Sequence, residues 1–351
     1  MKRAIEVVLG CVVLVLLGLS VWVFVMLQRS REPLHHEQQA LASLWLKHAP
    51  EIEADQARWR DDPLIAAQAG DDAAPVLFRH IGLDVAPSPL PDVLNGPEWL
   101  SNLDAFDTTP FDLEWMKSLA SLGYWELGGA GSPLENVPIS MDEPTLRFRD
   151  LMTLAKVRLV RGLQKGDARE AAREVRELAR LCLTSETILG AMVGVGITGF
   201  ERGAYEEATR RGHDTAGWSP ISQADHTSLK RVIGVSPTPF VLLATPPVST
   251  VVLPVGACAG LHEGLWQAHI GRVLWSGEIA DRVAGLDRQL AKSTCRLPRM
   301  RKAWAGSPPP FLADHGLLGR LPFGREVVTN QMAIDIAGNW MRGYTTPREA
   351  P

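Results

Sequence analysis

The side chains with chemistry to offer are sparse and widely spaced. Four cysteines stand at positions 11, 182, 258 and 295, and no two form a CxxC pair, so neither a zinc ribbon nor a thioredoxin-like redox site is available. Cys182 continues the helical stripe Ala171, Val175, Leu178, which predicts a small buried hydrophobe. Cys258 and Cys295 are then the candidates for a disulfide, if the chain between them folds back until their Cα atoms lie within about 7 Å. His262-Glu263 starts the helical zinc-hydrolase pattern, but Trp266 holds the place of its second histidine. His269 comes two helical turns after His262, about 10 Å along the axis, too far to share one zinc. His35-His36 has no cysteine or acidic cluster at ligand spacing, and no metal site is expected. Glu263, among Leu261, Leu265 and Trp266, needs a partner if buried. An arginine there would be structural, whereas a raised pKa would suit acid–base catalysis.

Hydrolytic chemistry finds no better footing. Gly217-Trp218-Ser219-Pro220-Ile221 fails the GxSxG pattern at its last position, and no SxxK occurs. The pairs Asp61-Asp62 and Asp71-Asp72 lie in polar, loop-like sequence and read as solvated surface rather than as a glycosidase dyad. No catalytic residue is assigned, and the balance is against an enzyme.

The nearest approach to a cofactor motif is Gly194-Val195-Gly196-Ile197-Thr198-Gly199, with Asp214 twenty residues after its first glycine. It resembles a dinucleotide-binding fingerprint. That resemblance would place the pyrophosphate at Gly194, Gly196 and Gly199 and the ribose at Asp214, making the chain a nucleotide-dependent enzyme. The motif works only where a strand delivers a tight turn into a helix. Glu186 to Val193 fits either strand or helix. Thr215-Ala216-Gly217-Trp218-Ser219-Pro220 makes a poor second strand, and no strand–helix alternation follows. The competing reading is a helix whose glycines let another backbone come close. On it, no cofactor is expected.

Something must position these residues, and composition says that it folds. Hydrophobic residues make up 46% and charged residues 22% of 351, an ordinary globular balance. With 36 basic and 40 acidic residues and no Lys/Arg stripe, nucleic acid is excluded as an expected partner.

From Val7 to Leu27 there are 21 residues without a charge, which as a helix would span a hydrocarbon core of roughly 30 Å. Lys2 and Arg3 precede this stretch and Arg29 and Arg31 follow it, with Trp22 near the far interface. The membrane contact is placed at residues 4–27. The amino terminus adds a third positive charge to the first side, favouring an inside N-terminus and an extracytoplasmic remainder. Gln28-Arg29-Ser30-Arg31 offers no small-x-small cleavage site, so the segment reads as an uncleaved anchor. Val8-Leu9-Gly10-Cys11 resembles a lipobox, but Glu6 interrupts its short apolar lead.

Beyond the anchor, residues 34 to 62 read as two helices divided near Pro50. Ten prolines between 63 and 145 allow only short helices, at Ala73 to Ile81 and Asp112 to Leu122. Phe148, Met152, Ala155 and Leu159 then recur at helical spacing. Gly166-Asp167 stops that helix, and the stripe through Cys182 follows on a second, making a hairpin. It resembles a tetratricopeptide unit, but no second copy follows at the required period. A third helix is expected from Ser185 to Arg211. Residues 213 to 256, with six prolines, read as a buried connection with a short strand at Val248 to Leu253. Helices are expected at Ala257 to Lys292 and at Arg325 to Arg342, the latter with Val328, Met332, Ile336 and Trp340 on one face.

The expected protein is therefore mainly α. A single N-terminal transmembrane helix (1–31) and a helical stalk (32–62) precede an irregular, proline-interrupted multi-helix domain (63–351) that contains a helical hairpin and has a possible sub-boundary near 213–256. The expected setting is a bacterial inner membrane, crossed once. The function that fits is structural or partner-binding work in the cell envelope. Eleven tryptophans supply interface anchors or core. The alternatives are an enzyme with a site of dispersed residues and a small-molecule sensor.

Overall fold

The computed structural model describes residues 2–81, 94, 99–101, 103–127 and 146–235, with the single residues 258, 261, 288, 295, 335, 338, 339, 341 and 342. The described architecture is mainly helical.

Helix α1 runs unbroken from Lys2 to Trp59, 58 residues, through both Pro33 and Pro50. The break expected at Pro50 is absent. A proline inside a helix removes one hydrogen bond and crowds the preceding turn, but packing on either side of Pro50 holds the axis. Trp45, Ile52, Gln56 and Trp59 recur at intervals of seven, four and three, and all four are buried. The stretch expected as a stalk is thus partly core. Trp45 and Ile52 pack with Val235 and Met341, and Trp59 packs with Leu183, Ala191, Val195 and Leu229.

The hairpin is formed by α3 (Phe148–Lys165) and α4 (Ala168–Leu183), where α2 is the single turn Ala74–Leu77. Gly166 closes α3 at φ 81°, a conformation that favours glycine, and lets the chain reverse within two residues. At Gly162 an added Cβ would lie 2.5 Å from that of Ala171, so glycine sets how closely the two helices approach. Helix α5 (Ile188–Arg210) packs against both members of the pair. Its first turn is capped by Thr187, whose Oγ1 accepts from Gly190 N at 3.0 Å.

Two elements depart from expectation. Gln223–Val235 forms helix α6 inside the stretch read as a connection. Ser222 starts it: its Oγ accepts from Asp225 N at 3.0 Å and donates to Asp225 Oδ2 at 2.7 Å. Leu229, Val232 and Ile233 then bury one face. The second departure is a parallel pair, β1 (Asp71–Asp72) with β2 (Leu122–Tyr124). Asp72 is consequently not free surface, because its Oδ1 accepts from Ala74 N at 3.0 Å and Glu126 N at 2.8 Å. Of the short helices expected nearby, α2 covers part of the first and a 3-10 helix, Glu114–Ser121, most of the second.

The strand expected at Val248 to Leu253 lies outside the described residues, as do most of the helices expected at Ala257 to Lys292 and Arg325 to Arg342. Within those two ranges Cys258, Leu261, Arg288, Asp335, Gly338, Asn339, Met341 and Arg342 are helical.

Candidate functional site

Four polar side chains of the helical hairpin, Lys156, Arg161, Gln164 and Arg180, hold the irregular segment before it. Backbone carbonyls in such a segment lack ladder partners and need donors from elsewhere. Lys156 donates to Leu94 O at 2.6 Å, and Gln164 to Leu103 O and Phe106 O at 2.7 and 2.8 Å. Arg161 reaches Thr108 O and Phe111 O, and Arg180 reaches Leu122 O and Gly123 O at 2.6 and 2.9 Å. Lys156 also lies 4.4 Å from the Phe200 ring centroid and 5.8 Å from that of Trp99. Burial draws its ammonium below the usual lysine range.

Two buried carboxylates are matched within the helices. Glu174 accepts from Arg158 Nε at 2.7 Å, and Arg158 also meets Asp167 at 3.1 Å. Glu201 accepts from Arg176 Nε at 3.1 Å and from the Trp218 indole at 3.0 Å. These contacts tie α3, α4 and α5 to one another and to the segments beside them. Among the described residues, no three His, Cys, Asp or Glu side chains gather closely enough to hold a metal ion.

The glycines of the fingerprint-like segment sit within α5, with Thr187 rather than a strand leading into the helix. Their role in the fold is contact. A Cβ on Gly194 would fall 2.8 Å from Ala179 O and 2.7 Å from Leu183 Cγ, so α4 lies close against α5 there. Gly199 makes room for the His226 ring, whereas Gly196 meets only Met152 Cε, at 3.5 Å. Asp214 is exposed and accepts from Ala216 N at 2.9 Å, closing a turn.

A second cluster, which the sequence did not single out, joins α1 to α6. Trp59 Nε1 donates to Ser228 Oγ at 3.1 Å, and Ser228 Oγ donates to Asp55 Oδ1 at 3.2 Å. Arg231 approaches the same carboxylate at 3.4 Å, and Arg58 pairs with Asp225. Each of these residues alone reads as ordinary helix surface. The usable signal was the Ser222-x-x-Asp225 cap followed by Leu229, Val232 and Ile233.

Large apolar side chains are exposed in two further places. On α1 they are Leu17, Leu19, Val21, Trp22 and Val25, at 41 to 62% exposure, with Leu46 further along. On α5 they are Leu189 and Met192. Among the described residues, no helix is long and apolar enough to cross a membrane, and within Val7 to Leu27 only the side chains of residues 17–22 and 25 are described.

Cys258 and Cys295 are joined by a disulfide, with their Cα atoms 5.5 Å apart, while Cys182 is a free, buried thiol. His262, Glu263 and His269 lie outside the described residues, and the side chain of His35 does too. His36 is exposed.

No family model, no curated protein and no solved structure matches this chain. The functional reading therefore rests on the residues themselves.

Proposed function

We propose that this is a single-pass envelope protein in which α1 leaves the lipid bilayer and becomes a structural member of an extracytoplasmic helical domain that binds a partner. One observation carries the reading. At 100° per residue, Leu17, Leu19, Val21, Trp22 and Val25 spread over about 200° of the helix circumference, and all are exposed. A helix packed on its own domain exposes a polar face; one that exposes apolar side chains over so wide an arc suits lipid.

The same helix then buries Trp45, Ile52 and Trp59. From Leu27 to Trp45 is about 27 Å of helix, so α1 would hold the domain at a set distance from the bilayer. The Cys258–Cys295 bridge supports an oxidising compartment for that domain. Leu189 and Met192, exposed near the start of α5, supply apolar surface for a partner.

The test is fractionation of the full chain followed by topology. The protein should sediment with membranes, resist carbonate extraction and require detergent for release, and a reporter active only outside the cytoplasm should work at its C-terminus. Release into solution without detergent would remove the anchor, and activity of a cytoplasm-only reporter would reverse the orientation.

A further inference from the structure

Two prolines interrupt the hydrogen-bond ladder of α1 in the same way. A proline has no N–H to give the carbonyl four residues earlier, so Pro33 deprives Arg29 O of its rung and Pro50 deprives Leu46 O of its own. Their surroundings differ. On either side of Pro50, Trp45 and Ile52 are fully buried and pack with Val235 and Met341, and Gln56 and Trp59 are buried further along. Distant parts of the chain thus brace the helix across that missing rung.

Pro33 has no comparable brace among the described side chains. Leu17 to Trp22 and Val25 before it are exposed, and so are His36, Glu37, Gln39 and Ala40 after it. The first described side chain beyond Pro33 to be half-buried is Leu41, beside Gly338. An isolated helix of fewer than about 12–15 residues is marginal in water even with every rung in place, and Gln28 to Ala40 is no longer than that. Its residues include Arg29, Arg31, Glu32, His35, His36 and Glu37, with Leu34 as the one large apolar side chain it could bury.

We propose that Pro33 is a hinge: α1 bends there while the turns about Pro50 stay straight, so the helical domain swings as one body on an arm of fixed length. The arm, from Pro33 to Trp45, measures about 18 Å. With α1 crossing the bilayer up to Leu27, the pivot stands about 9 Å outside the lipid. Leu189 and Met192 are then carried through a range of positions in which to meet a partner. That consequence rests on the membrane anchor, whereas the hinge rests only on the two prolines and what packs around them.

The experiment is double electron–electron resonance on the full chain in detergent micelles. Cys11→Ser leaves only Cys182, which is buried, and Cys258 and Cys295, which are bridged, so nitroxides attach to introduced cysteines alone. Leu19→Cys with Ala40→Cys brackets Pro33, and His36→Cys with Ala57→Cys brackets Pro50; all four sites are exposed. Each pair would lie about 32 Å apart on a straight helix. The distance distribution across Pro33 should be about twice as broad as that across Pro50, and Pro33→Ala should narrow it to match. Equal widths in the two pairs, or a breadth that Pro33→Ala leaves unchanged, overturn the hinge. The contrast is read within one helix, so it holds or fails whether or not the chain sediments with membranes.

Discussion

Trp59 and Ser228 meet at 3.1 Å across 169 residues of chain, and this contact converts the end of a long helix into part of the core. Around it Asp55, Arg231, Arg58 and Asp225 complete a polar seam between α1 and α6.

Trp59→Ala removes a buried ring together with that hydrogen bond, and should destabilise the domain by about 3–5 kcal/mol. Ser228→Ala should cost about 1 kcal/mol. Urea unfolding of both variants and of the double variant measures the coupling between them. Strict additivity would mean that the two side chains do not communicate.

Glu174 and Arg158 are both buried, and Arg158 alone has a second partner in Asp167, so removing Arg158 strands the Glu174 carboxylate. Arg158→Met should cost about 3–5 kcal/mol, whereas the combined Arg158→Met, Glu174→Leu variant should recover most of it. Thermal unfolding distinguishes these outcomes, and a double variant as unstable as the single one would show that the pair contributes more than mutual neutralisation.

Glycines two residues apart on α5 should respond in opposite directions. Gly194→Ala drives a methyl into Ala179 O and Leu183, with an expected cost of about 1–3 kcal/mol. Gly196→Ala meets only ordinary contact with Met152 and should stabilise by about 0.5–1 kcal/mol through helix propensity. Saturable binding of NAD(H) or NADP(H), abolished by Gly196→Ala, would instead restore the nucleotide reading.

Burial pushes the Cys182 thiol far up and shields it from solvent. Iodoacetamide should therefore leave Cys182 unmodified in the folded protein and label it only after unfolding. Unreduced peptide mapping should recover Cys258 and Cys295 in one cross-linked species. Free thiol at both positions in unreduced full-length protein would contradict the bridge.

At the end of α5, Arg210 and then Arg211 bond the Glu207 carboxylate and hold it down to about 2, from an ordinary value of 4.5. Its contribution is present above 4.5 and is lost as pH falls towards 2. Carboxyl NMR should find Glu207 charged at pH values where most glutamates are protonated, and Glu207→Gln should flatten the acid limb of the stability curve. A Glu207 that titrates with the other glutamates would dissolve that arrangement.

What the chain declares in its sequence is local. The period of Phe148, Met152, Ala155 and Leu159, the Gly166-Asp167 stop and the stripe through Cys182 specify α3, α4 and their reversal, because helical spacing and a left-handed glycine act over a few residues. The Ser222-x-x-Asp225 cap is just as local, but with Pro220 and Pro237 flanking it residues 213–256 read as a connection, and α6 was missed. Tertiary structure alone decided the partnerships. Pro50 leaves α1 unbroken where distant residues bury the turns around it, and the Asp71-Asp72 pair becomes a strand because Leu122–Tyr124 comes alongside. Asp55, Ser228 and Arg231 become a seam only when two helices far apart in sequence align. A pattern of burial names the face that leaves water, but the surface that receives it depends on packing among segments that no short-range spacing encodes.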